Sequence, residues 1–149
     1  MLDTRVRTQD IVTSCLSMSP LETIRELYRA MRAGDDAAFI ALCTDDLIWQ
    51  QSAGFPGGST WHGAASVIEN VFRANARRWT GFAFTENEFI ATGDRVVVLG
   101  HYSGTAPATG KIMRTAVAHV YDLHDGKIRR FRMFADTHPM WEAMTLTSN

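Results

Sequence analysis

At Phe82 the spacing of the apolar residues changes, and that change leaves the chain few architectures. Upstream, Leu21, Ile24, Leu27, Tyr28 and Met31 recur at helical intervals, as do Val67, Ile68, Val71 and Phe72. Downstream the period is two, in four runs over 82–91, 95–103, 111–123 and 127–135. These are parted by Thr92-Gly93-Asp94, by a Gly104 to Gly110 loop with Pro107, and by Asp125-Gly126, a hairpin signal. Helices first and consecutive strands afterwards imply an α+β fold, a curved antiparallel sheet wrapped around N-terminal helices. A parallel βαβ arrangement is not expected.

Ser19-Pro20-Leu21-Glu22 supplies an N-cap, a proline at the first helical position and a glutamate three residues after the cap. Gly34 stops that helix, and a second short one runs from Asp35 or Asp36 through Leu42. Thr44-Asp45-Asp46 reads as a break before a strand at Leu47-Ile48-Trp49. Gly54, Pro56, Gly57 and Gly58 surround Phe55 in a loop that could serve as a lid. A third helix ends near Trp79, and Pro139 to Met144 offers a closing helical turn. Residues 1–18 read as a polar tail or arm, with one domain over 19–149.

A chain of 149 residues, 46% hydrophobic, suits one such domain. Its formal charge of -1 provides no field for phosphate backbones or anionic membranes. The basic sets Arg73, Arg77, Arg78 and Arg129, Arg130, Arg132 lack interleaved aromatics, so no nucleic-acid partner is expected. No apolar run approaches a membrane span and no secretory leader is evident, which points to a cytoplasmic protein. Cys15 and Cys43 show no CxxC spacing, five histidines show no ligand spacing, and no phosphate-binding glycine motif occurs. Neither metal nor cofactor is expected.

The element order, with Trp61-His62-Gly63 before the third helix and Asp125-Gly126-Lys127-Ile128 leading to Phe134-Ala135-Asp136, resembles the nuclear transport factor 2-like superfamily. More narrowly it is similar to the SnoaL-like polyketide cyclase and ketosteroid isomerase-related branch. That resemblance covers about residues 19–145 and implies a cone-shaped sheet around an apolar pocket, and a homodimer through the outer sheet face. It also implies that Asp136, at the end of the last long strand, acts as general acid/base, with His119 as its histidine companion. The epoxide hydrolase branch uses an Arg-x-Asp pair, and this chain has none.

A carboxylate abstracts a proton from carbon only when an apolar site lifts its pKa or the oxyanion is stabilised. Asp136 follows Arg132, Met133, Phe134 and Ala135, so a strand ending in an aromatic pocket would desolvate it. Arg132, Phe134 and His101, with Tyr102 on the opposite face from His101, would join it at the substrate, Trp49 would stack on a planar ligand and Gln51 would bond its carbonyl. A two-residue turn at Asp125-Gly126 with unbroken alternation puts His119 opposite Arg132 and on the face of Asp136, roughly 13 Å away. A bulge would separate the two residues onto opposite faces. Two functions stand: a small cofactor-independent cyclase or isomerase acting on a hydrophobic carbonyl compound, and a non-catalytic ligand-binding or homodimeric domain. Each residue also has a structural account, with Asp136 capping the last helix or pairing with Arg132 or Arg114, His119 satisfied within the core, and Trp49 as core.

Overall fold

The structure, a computed structural model, describes residues 17–147, so most of the 1–18 segment, with Cys15, lies outside the described residues. Helix α1 (Pro20–Ala33) opens on a reciprocal capping box. Ser19 Oγ accepts the Glu22 N–H at 3.2 Å and Glu22 Oε2 accepts the Ser19 N–H at 2.8 Å. The helix ends at Gly34, whose φ of 64° is left-handed, so its N–H can reach the Ala30 and Met31 carbonyls. Helix α2 (Asp36–Leu42) begins under Asp35, which accepts the Ala38 N–H at 3.0 Å.

Strand β1 (Cys43–Gln50) follows at once, without the expected break at Asp45. Thr44, Asp45 and Asp46 fall in an irregular stretch between the Cys43–Ile128 and Ile48–Arg130 pairs, where they interrupt the ladder and not the strand. Asp46 is compensated there by Arg129 on the neighbouring strand, at 3.3 Å. A short strand β2 (Thr60–His62), unforeseen in the sequence, pairs Trp61 with Trp49. Helix α3 comprises Ala64–Val67, a π-helical segment Ile68–Arg73, and Ala74–Arg78. Then come β3 (Thr80–Thr92), β4 (Arg95–Thr105), β5 (Ile112–His124), β6 (Lys127–Ala135) and α4 (His138–Met144).

The six strands form one sheet in the order β2-β1-β6-β5-β4-β3. The sheet is mixed, whereas the sequence suggested a wholly antiparallel one: β1 runs parallel to β6 because the chain returns to it only after α3 and three further strands. The helices cover one face, and Ile24, Leu27, Phe39, Leu47, Val67, Phe131 and Met140 bury themselves between the layers.

One residue in β6 sets what faces that core. The β5–β6 turn has the expected two residues, Asp125 (φ 48°) and Gly126 (φ 76°), and His124 opposes Lys127. Leu123 opposes Ile128, but Asp122 opposes Arg130, which leaves Arg129 as an extra residue in a bulge. Beyond it Tyr121 faces Phe131 and His119 faces Met133. Ile128, Phe131 and Met133 are buried, and Arg129 and Arg130 are exposed in succession. Strict alternation from Ile128 would have turned Arg130 and Arg132 inward, and burying two guanidinium groups costs far more than one distorted ladder position.

Candidate functional site

A cavity of about 580 Å³ lies between α1, α3 and the inner sheet face, walled by Tyr28, Trp49, Phe72, Phe84 and Phe131. Trp49 stacks on Phe131 with ring centroids 3.7 Å apart and meets Phe72 edge-on at 5.8 Å. His119 lies among these rings, its centroid 4.1 Å from Phe84 and 5.0 Å from Phe131.

Both imidazole nitrogens of His119 are occupied by tyrosines. Nδ1 is 2.8 Å from the Tyr28 hydroxyl and Nε2 is 2.7 Å from the Tyr102 hydroxyl. Tyr121 Oη donates to Tyr28 Oη at 2.9 Å and sits 3.4 Å from Nδ1. In the tautomer in which Tyr28 gives its own proton to Nδ1, Nε2 carries the imidazole proton and donates to Tyr102, and the Tyr102 hydroxyl proton is free for a ligand. Burial depresses the His119 pKa to about 3 and raises all three phenols, so the cluster is neutral. Among the described residues no Asp, Glu or Cys lines the cavity, and the cationic Arg32 at its wall is paired with Glu86. What this arrangement can do is stabilise oxygen by hydrogen bonding in a largely apolar site.

Trp49, Gln51 and His119 thus meet at the cavity, but other residues expected there do not. Asp136 is exposed beyond the end of β6, and its Oδ1 accepts the His138 N–H at 3.2 Å beside the start of α4. The bulge at Arg129 removes the shared face that an Asp136–His119 pairing required. Arg132 and Phe134 turn outward for the same reason: Arg132 lies 3.4 Å from Asp122, and Phe134 is 55% exposed. His101 also faces outward, 3.2 Å from Asn87 Oδ1, because its neighbour Tyr102 takes the inward position. The Gly54–Gly58 loop is pinned: Phe55 is buried with its ring 5.9 Å from Tyr102, and Trp141 Nε1 donates to the Gly54 carbonyl at 2.7 Å.

Sequence reasoning missed Tyr28, Tyr102, Tyr121 and Asn75 as lining residues. The usable signal was tyrosine at inward positions of three elements, with His119 and Tyr121 two apart on one strand. Among the described residues no group of three His, Cys, Asp or Glu side chains is placed to hold a metal ion, and no helix is long and apolar enough to cross a membrane.

Helices laid over one face of a curved mixed sheet, with an aromatic cavity between the layers, define a protein of the NTF2-like class. The chain belongs to the SnoaL-like domain family, which it matches over residues 24–131. An NTF2-like protein of Burkholderia thailandensis is 35% identical, with a TM-score of 0.82 over 87% of this chain and 99% of that one. TerC, crystallised with polyporic acid, is 29% identical, with a TM-score of 0.74 over 85% of this chain and 98% of its own. IdmH of Streptomyces antibioticus, described as a candidate polyketide cyclase, shares the fold at 20% identity and a TM-score of 0.70 over 85% of this chain and 99% of its own. No curated protein matches the chain.

Proposed function

We propose that the chain is a small-molecule-binding protein that encloses a planar, hydrophobic carbonyl compound, with the ligand's oxygen on Tyr102 beside His119. The observation that carries this reading is the neutral Tyr28–His119–Tyr102 cluster inside an aromatic cavity that no carboxylate among the described residues lines. Rings of Trp49, Phe72, Phe84 and Phe131 supply apolar contact, and one hydroxyl proton supplies polarity among them. Co-crystallisation of the relative TerC with polyporic acid agrees with a ligand role for this kind of cavity. The homodimer implied by the family resemblance would use the outer face of the sheet, where Leu99 and Phe134 are exposed.

A second reading is favoured by the same hydroxyl. Tyr102, donating to a bound carbonyl, would stabilise an enolate and so promote exchange of the neighbouring C–H, the step that cyclases and isomerases share. Asp136 has no place in it, and water would take the proton.

The bicyclic ketone 1-tetralone tests both readings, with its hydrocarbon parent tetralin as control. Saturable quenching of tryptophan fluorescence by the ketone, several times stronger than by tetralin and lost in Tyr102→Phe, supports the binding reading. Equal affinities, or none, overturn it. Deuterium uptake at the CH2 beside the carbonyl, followed by NMR in D2O and slowed in Tyr102→Phe, establishes the catalytic reading; an unaccelerated rate excludes it for this ketone.

A further inference from the structure

Gln51 and Asn75 are carboxamides at positions where the pattern of the chain calls for apolar side chains. Asn75 sits on the buried stripe of α3, four residues after Val71 and four before Trp79. Gln51 follows Trp49 by two residues and faces inward with it. Both line the cavity, and each is only 6% exposed. Among the described residues the Gln51 side chain makes no hydrogen bond. Asn75 has only a long one, 3.4 Å from Arg78 Nη1 to its Oδ1, which leaves its NH2 group unpaired. Their amide atoms are open to the cavity and not sealed in the core, so both carboxamides keep hydrogen-bonding capacity for a polar group bound there.

Sheet register places this pair relative to the tyrosine cluster. Gln50 opposes Arg132, and Arg132 opposes Val120. One residue further along β1 and β6 and one back along antiparallel β5, Gln51 falls in the row of Met133 and His119. Two strand spacings separate Gln51 from His119, roughly 10 Å between Cα atoms. Asn75 approaches from the helix layer, one turn after Phe72, whose ring meets Trp49. The cavity therefore has two uncharged polar poles, the tyrosines with His119 and the two carboxamides, with aromatic walls around them.

We infer that Gln51 and Asn75 form a second recognition site, for an oxygen substituent at the far end of the ligand. The ligand class is thereby narrowed to planar ring compounds oxygenated at both ends. The inference rests on the reading of the cavity as a ligand pocket. Carboxamides both donate and accept, so a hydroxyl is met in both of its roles.

Calorimetric titration of the full chain with naphthalene, 1-naphthol and 1,5-dihydroxynaphthalene tests it. The dihydroxy compound is expected to bind about five- to tenfold more tightly than 1-naphthol, the scale of one hydrogen bond. Gln51→Leu and Asn75→Leu should each bring its affinity down toward that of 1-naphthol. Equal affinity for the two naphthols on the unaltered chain, which needs no variant to fold, overturns the inference and leaves the pocket reading intact. A dihydroxy advantage that survives both folded variants does the same. Absence of saturable binding for all three compounds overturns the pocket reading, and this inference with it.

Discussion

His119 and His101 sit on neighbouring antiparallel strands and face opposite sides of the sheet. On the inner side, His119 is enclosed by aromatic rings, held neutral and bonded through both nitrogens to tyrosines. On the outer side, His101 meets Asn87 near solvent, on the face of Arg132 and Phe134. Residue type alone therefore assigns no role to either histidine. The face decides, and on β6 the face is decided by the single extra residue at Arg129.

The largest effect should come from putting that face out of step again. Inserting one alanine between Phe131 and Arg132 turns Arg132 inward and Met133 outward, so the cooperative thermal transition should be lost, whereas deleting Arg129 leaves Ile128, Phe131 and Met133 on one face in plain alternation and should be tolerated. An insertion variant that melts normally would mean that alternation along β6 does not hold the face assignment. Next come the aromatic walls. Phe131→Ala should cost about 3–5 kcal/mol in denaturant unfolding, and Phe134→Ala on the opposite face within about 0.5 kcal/mol. Similar losses at the two sites would erase the inner and outer distinction.

A pH series sharpens it. Unfolded His119 takes up a proton as pH falls through about 6.5, whereas the folded group resists until about 3. Stability from this residue is therefore complete above the unfolded value and declines as pH falls between the two, by about 1.4 kcal/mol per unit at most. Between pH 6.5 and 5, above the ordinary carboxylate range, His119→Gln should flatten the slope relative to the parent chain. Smaller again, Tyr102→Phe should lower stability by about 1 kcal/mol, the value of its bond to His119, and abolish the preference for ketone over hydrocarbon in fluorescence titration. Asp136→Asn should be the mildest, within about 0.5 kcal/mol in thermal melts, with 1-tetralone affinity unchanged.

Much of the fold was legible because local signals agreed with tertiary packing. Ser19, Pro20, Glu22 and Gly34 set both ends of α1, and Asp125-Gly126 set the last turn. The site was only partly legible. Trp49 and Gln51 were found because alternation along a short strand carries them inward together. Asp136, Arg132 and Phe134 were misplaced because alternation was carried through Arg129 unbroken. Yet Ile128, Phe131 and Met133 cannot all be buried without one additional residue between the first two, and the consecutive Arg129 and Arg130 show where it goes. The tyrosine cluster stayed hidden because Tyr28, Tyr102 and Tyr121 come from three elements, and only the sheet register and the α1 docking bring their hydroxyls to one imidazole.

The account stands on where a ligand's oxygen sits, and a crystal structure of the chain soaked with 1-tetralone reads that directly. The carbonyl oxygen should lie within hydrogen-bond distance of Tyr102 Oη, with the bicyclic ring among Trp49, Phe72 and Phe131. A tetralone bound on the outer face near Phe134 or Asp136, or a cavity that stays closed to it at saturating concentration, would contradict the account.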